Sequence, residues 1–305
     1  MTVQAITLNM PDATYRRAYR AAKAMQRPVE EVLVDTLSAT LSALDDVPVE
    51  MEPELAALAY LSDDTLWVVA RATMSAERQQ QLHDLLDAQG RGELDQTGQR
   101  QLAAFMAEYG RTMLRRAKAL LLLTGRGHQV RVMPSRDATS YGITLTYRPR
   151  PSISDPRWFG CPAMSKTHIP VDVRRRVAAA ARYRCGYCLT SQRVVGFPMH
   201  LEHIIPEAAG DGSTEENLWL ACPLCNGYKG VQTHAADPLT GVRMPLFNPR
   251  IQDWHEHFSW SADGSEIVGK TPVGRATVLA LHLNNPYVMP SRKIWVAAGW
   301  HPPKD

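Results

Sequence analysis

Four of the five cysteines form two CxxC pairs, Cys185-Gly-Tyr-Cys188 and Cys222-Pro-Leu-Cys225, with 33 residues between the pairs. Two intervening residues let both sulfurs of one turn reach a single tetrahedral ion. A reducing compartment keeps thiols free, and thiolates bind zinc, so the pattern predicts a structural Zn²⁺ held by all four rather than a pair of disulfides. Cys161 stands apart and carries no assigned role.

Between the pairs runs Phe197-Pro-Met-His200-Leu-Glu202-His203-Ile-Ile-Pro206, then a Gly-rich stretch over 208–214, then Glu216-Asn217-Leu-Trp-Leu-Ala-Cys222. An apolar strand here delivers adjacent Glu202 and His203 to its end, where Pro206 stops regular pairing. A loop reverses the chain and a second strand returns over 218–221. The second CxxC opens a short helix with Asn226 and Lys229 on its first turns, so the zinc ties the hairpin to the helix. That arrangement gathers the Glu202 carboxylate, the His203 imidazole and the Asn226 amide. Carboxylate and amide oxygens are hard ligands suited to Mg²⁺ or Mn²⁺, and a neutral His beside them can deprotonate water.

This segment, roughly residues 165–260, resembles the HNH endonucleases in their zinc-stapled form with two CxxC pairs. The stretches Pro245-Leu-Phe-Asn-Pro-Arg250, Trp254-His-Glu-His-Phe258 and Gly274-Arg-Ala-Thr277 resemble the C-terminal continuation of one bacterial subgroup of that family. The resemblance implies a ββα-metal fold and hydrolysis of DNA phosphodiesters to 5′-phosphate and 3′-hydroxyl ends, with RNA left open. It implies that His203 is the general base, Glu202 and Asn226 are ligands of a catalytic Mg²⁺ or Mn²⁺, and Asn217 fixes the loop and orients the His. Glu202 stands where many members have Asp. Lys229, one turn from Asn226, either holds a substrate phosphate as a point charge or is solvated. Arg174, Arg175, Arg176, Arg182 and Arg184 form a basic run that either grips a phosphate backbone or makes a wet surface.

The rest of the chain must position this chemistry. Residues 5–10 alternate as a strand, Asp12 is placed to cap a helix with Tyr15, Ala18, Tyr19, Ala22 and Met25 on its apolar face, and Pro28 suits the start of a second. This order resembles the ribbon-helix-helix DNA-binding dimers. The resemblance implies a homodimer in which Ala5, Thr7 and Asn9 face DNA; with no Arg or Lys in the strand, dimerisation alone fits equally. Helical periodicity covers roughly 53–73, 76–89 and 96–124. Prolines at 134, 149, 151, 156 and 162 mark an extended linker with 6 basic and 2 acidic residues over 131–170.

The expected class is α+β: a ribbon-helix-helix-like segment (1–45), a helical bundle (50–125), a Pro-rich linker (126–165) and a nuclease domain (166–300). Charge is uneven along the 305 residues. Residues 1–130 hold 14 Lys+Arg against 17 Asp+Glu, and residues 131–305 hold 20 against 14, so the basic excess lies with the nuclease half. No apolar run reaches the roughly 18 residues of a membrane span, and no basic start followed by an apolar stretch opens the chain. A cytoplasmic, soluble protein is expected. The rivals to an enzyme are an antitoxin-like DNA-binding regulator whose zinc module does not cleave and a zinc-ribbon interaction module that recruits another protein.

Overall fold

The computed structural model describes residues 7, 9–34, 47–130, 169–210 and 212–303, and the chain divides into two units, Met1–Val47 and Pro48–Asp305. In the first unit, helix α1 (Asp12–Met25) follows Pro11. Asp12 is not its cap: it is already helical, and its carboxylate pairs with Arg16 one turn on. The helix closes at Gln26, which adopts φ 53°, while Arg27 N–H bonds Ala22 O at 3.0 Å, the left-handed closure common at helix ends. Ala22 is buried, whereas Tyr15 and Tyr19 are exposed and stack on each other at 6.2 Å. Most of the expected strand lies outside the described residues. Its described positions Thr7, Asn9 and Met10 belong to no strand, and the second helix is described only over 29–34.

The second unit begins with α2 (Glu52–Ala57), α3 (Asp63–Arg71), α4 (Ala76–Gly90) and α5 (Gln96–Gly125). The single helix expected over 53–73 breaks because Ser62 caps α3, its Oγ accepting from Thr65 N–H at 3.3 Å. Ser75 and Asp95 start α4 and α5 in the same way. One stripe of α5 is fully buried: Leu102, Met106, Tyr109, Met113, Leu114, Ala117 and Leu120. That spacing is the apolar face of a 3.6-residue helix, and it packs against α3.

The C-terminal module holds α6 (Val171–Ala180), α7 (Gln192–Val195), β1 (His200–His203), β2 (Leu218–Ala221) and α8 (Pro223–Lys229). It continues through β3 (His234–Ala236), β4 (Arg243–Pro245), α9 (Trp254–His257), β5 (Phe258–Trp260), β6 (Ile267–Gly269), α10 (Pro272–Ala280) and α11 (Val288–Ala297). The strands pair as three antiparallel hairpins, β1–β2, β3–β4 and β5–β6. The result is a mixed helical and small-sheet architecture.

Helix α5 joins the two halves of this unit, packing on α8 and α11. Two glycines permit the approach. A side-chain carbon at Gly227 in α8 would run into Met106, and one at Gly110 in α5 would lie 2.6–2.9 Å from the Tyr287 side chain. The Tyr109 ring sits 4.9 Å from that of Phe197, and buried Arg116 donates to Ala72 O at 3.1 Å. The helical segment and the C-terminal module, separate in the sequence pattern, therefore share one core. Residues 131–165 of the expected linker lie outside the described residues. No helix among the described residues is long and apolar enough to cross a membrane.

Candidate active site and structural metal centre

The hairpin forms where the residue pattern places it. Strand β1 pairs with β2 in the register His200↔Ala221, Glu202↔Trp219, His203↔Leu218. Asn217, just before β2, spans the connecting loop: its Oδ1 accepts from Ile205 N–H at 2.8 Å, and its Nδ2 donates to Ile205 O at 2.9 Å and Gly212 O at 3.3 Å. One buried amide thus fixes the turn immediately after His203.

Cys185, Cys188, Cys222 and Cys225 are all buried, and their sulfurs lie within 4.8 Å of one another. The Cys188 and Cys222 sulfurs are 3.8 Å apart, close to the edge of about 3.8 Å that four Zn–S bonds of ~2.3 Å produce in a tetrahedron. Gly186 N–H bonds Leu220 O at 2.8 Å, which stitches the first pair to β2, and Cys222 caps α8. Hydrogen bonding to Cys185 and Cys188, together with burial, holds the Cys222 thiol well above its usual range. Four crowded sulfurs shed their protons when a cation compensates them, so the donor set fits a structural Zn²⁺. No disulfide links these four.

Glu202, His203 and Asn226 line one narrow cleft of about 20 Å³, together with His200, Glu207 and Asp87. That volume suits a single water-sized occupant. Glu202 is 3 % exposed. Its Oε1 accepts from the Tyr187 hydroxyl at 2.8 Å and from Lys229 Nζ at 2.8 Å, while Oε2 is buried with no hydrogen-bond partner. An unsatisfied oxygen on a carboxylate that lines the same cleft as Asn226 fits a hard divalent cation.

His203 Nε2 lies 2.7 Å from Ser213 Oγ, which in turn donates to Glu207 Oε1 at 3.3 Å. Burial lowers the pKa of His203, against the opposing charge of Glu207. The imidazole is therefore neutral near pH 7 and able to take a proton.

The basic positions scatter. Lys229 departs from the expectation of a surface phosphate contact: it is 2 % exposed, and its ammonium serves Glu202 and the His203 carbonyl, to which it donates at 2.9 Å. Arg176 is occupied by Glu215 at 2.7 Å and Asp172 at 2.7 Å. Arg174 donates from Nε to Ile169 O at 3.3 Å, Arg175 and Arg182 are exposed, and Arg184 is half-buried beside Trp219 and Trp254. Thr7 and Asn9 belong to the other unit.

Sequence reasoning missed four side chains. Tyr187 is the inner residue of the first CxxC, a position that spacing alone could have flagged. Ser213 and Glu207 lie in the loop whose closure brings them to His203. Asp87 comes from α4, and its Oδ1 lies 3.0 Å from His200 Nε2. Burial acts to raise the Asp87 carboxyl, but the bond to His200 and the charges around it hold it below its usual range. No local signal foretells that pairing.

No curated protein and no solved structure matches the chain. The HNH endonuclease family model matches residues 185–232, the segment from Cys185 through the hairpin and α8, and the four-cysteine cluster fits the zinc-stapled form of that domain.

Proposed function

We propose that the chain is a metal-dependent endonuclease that hydrolyses DNA phosphodiester bonds, with His203 as the general base. The observation that carries this is the convergence of Glu202, His203 and Asn226 on one cleft in which Glu202 Oε2 has no protein partner. Because Ser213 Oγ donates to Glu207, it accepts from His203 Nε2–H. That bond sets the tautomer and leaves Nδ1 as the basic atom. His203 Nδ1 takes the proton of the water that attacks phosphorus, and Ser213 with Glu207 stabilises the imidazolium that results. Asn217 keeps the loop closed so that the ring does not swing away. A divalent ion held by Glu202 and Asn226 would supply charge neutralisation at the phosphate and at the departing 3′ oxygen. Exposed Arg175 and Arg182 are proposed contacts to the DNA backbone.

The test uses supercoiled plasmid and the zinc-loaded chain. Nicking that requires added Mg²⁺ or Mn²⁺ and leaves ends sealable by a ligase supports the reading. A shift in DNA mobility without cleavage at any divalent concentration replaces it with a non-cleaving DNA-binding module. A homodimer through residues 1–45 is a separate proposal, and a monomeric mass by light scattering removes it.

A further inference from the structure

The two oxygens of Glu202 are treated unequally. Oε1 receives both the Tyr187 hydroxyl and the Lys229 ammonium, each at 2.8 Å, and Oε2 receives nothing. All three side chains are sealed from solvent, with Tyr187 at 0 %, Lys229 at 2 % and Glu202 at 3 % exposure. The donors come from the two CxxC arms of the sulfur cluster. Tyr187 lies between Cys185 and Cys188, and Lys229 ends the helix that Cys222 caps. Lys229 is fixed further by its bond to the His203 carbonyl at 2.9 Å.

A carboxylate buried only to make a structural ion pair would gain by spreading its donors over both oxygens. Two donors on one oxygen do something else. They stop rotation about the last side-chain torsion and leave the second oxygen as the one valence available to a ligand in the cleft. We infer that Tyr187 and Lys229 are positioning residues that clamp Oε1 of Glu202 so that Oε2 is presented to the divalent cation. Each arm of the structural zinc site thereby contributes one donor to the orientation of the catalytic ligand. The inference rests on the proposed nuclease reading and adds to it the residues that set its metal geometry.

The experiment titrates Mn²⁺ into the full-length, zinc-loaded chain and follows free and bound Mn²⁺ by electron paramagnetic resonance. Glu202→Gln tests the ligand, and Tyr187→Phe tests the clamp with minimal change of volume. Glu202→Gln is expected to abolish measurable Mn²⁺ binding at the cleft. Tyr187→Phe is expected to weaken it by about tenfold, the size of effect seen when an outer partner of a metal ligand is removed, and to alter the line shape of the bound ion. Zinc content and melting temperature should match the parent in Tyr187→Phe, which a merely structural tyrosine would not combine with a loss of Mn²⁺. Lys229→Gln should weaken Mn²⁺ binding as well; if that chain does not fold, Tyr187→Phe decides. Loss in Glu202→Gln with parental Mn²⁺ affinity in Tyr187→Phe overturns the clamp. Parental Mn²⁺ affinity in Glu202→Gln overturns the metal assignment beneath it.

Discussion

Around the four cysteines every ligand atom is buried and turned towards the other three, whereas around Glu202 one oxygen carries two donors and its twin carries none. The first arrangement fits a closed coordination sphere, and the second leaves one acceptor unused. A closed four-sulfur site has no position left for substrate, so its free energy goes into tying the first CxxC, β2 and α8 together. An open oxygen site leaves a buried acceptor unpaired, which only a rigid surround can sustain. The contrast separates a sulfur cluster that fits a structural role from a carboxylate, amide and imidazole to which we assign the chemistry as a proposal.

The harshest way to break this division is to remove the zinc. Stripping the metal, or Cys222→Ser, should abolish the cooperative melt of the unit that contains the module, since structural zinc in small domains contributes on the order of 10 kcal/mol. Calorimetry beside zinc stoichiometry checks this; an unchanged melt in the stripped chain would mean that the cluster is not structural. A gentler cut is Asn217→Ala, which deletes the three bonds to Ile205 and Gly212 and should cost about 3 kcal/mol at roughly 1 kcal/mol each. Its zinc content should stay parental while cleavage falls, because the loop directly follows His203 and holds none of the four sulfurs.

The smallest effect is a pH dependence of the scaffold. His301 is buried, its Nε2 lies 3.1 Å from Gly264 O, and burial with the nearby Arg292 charge lowers its pKa to about 4. The unfolded chain binds that proton near pH 6.5, so stability is intact above 6.5 and falls as pH drops towards 4. The loss should reach roughly 2 kcal/mol at pH 5. Urea midpoints at pH 7 and 5 measure it, and His301→Gln should shrink the difference by about that amount, leaving the part due to His83 and His203, whose pKa values burial also lowers.

The hairpin and its helix were legible because their signals are local. Pro206 stops β1, the CxxC spacing opens α8, and the apolar run over 218–221 is short enough to be a strand. Contacts from distant parts of the chain were not legible. Lys229 beside Asn226 looks like a surface lysine until the hairpin folds Glu202 beneath it. Asp87 reads as one polar residue on an amphipathic helix, and only the packing of α4 against α8 brings it to His200. The break at Leu61 was written in Ser62-Asp63-Asp64, a cap signal that the longer periodicity obscured. At the other end of the chain, Tyr15 and Tyr19 carry a helical repeat and are exposed within the single chain.

The most direct test of the division between shape and chemistry is to measure zinc content, melting and plasmid nicking on one preparation of His203→Ala. The expected result is one zinc per chain, a parental melt and nicking reduced by at least about a hundredfold, the lower range for loss of a general base. Parental nicking by this variant, or loss of its zinc, would contradict the separation of the two sites.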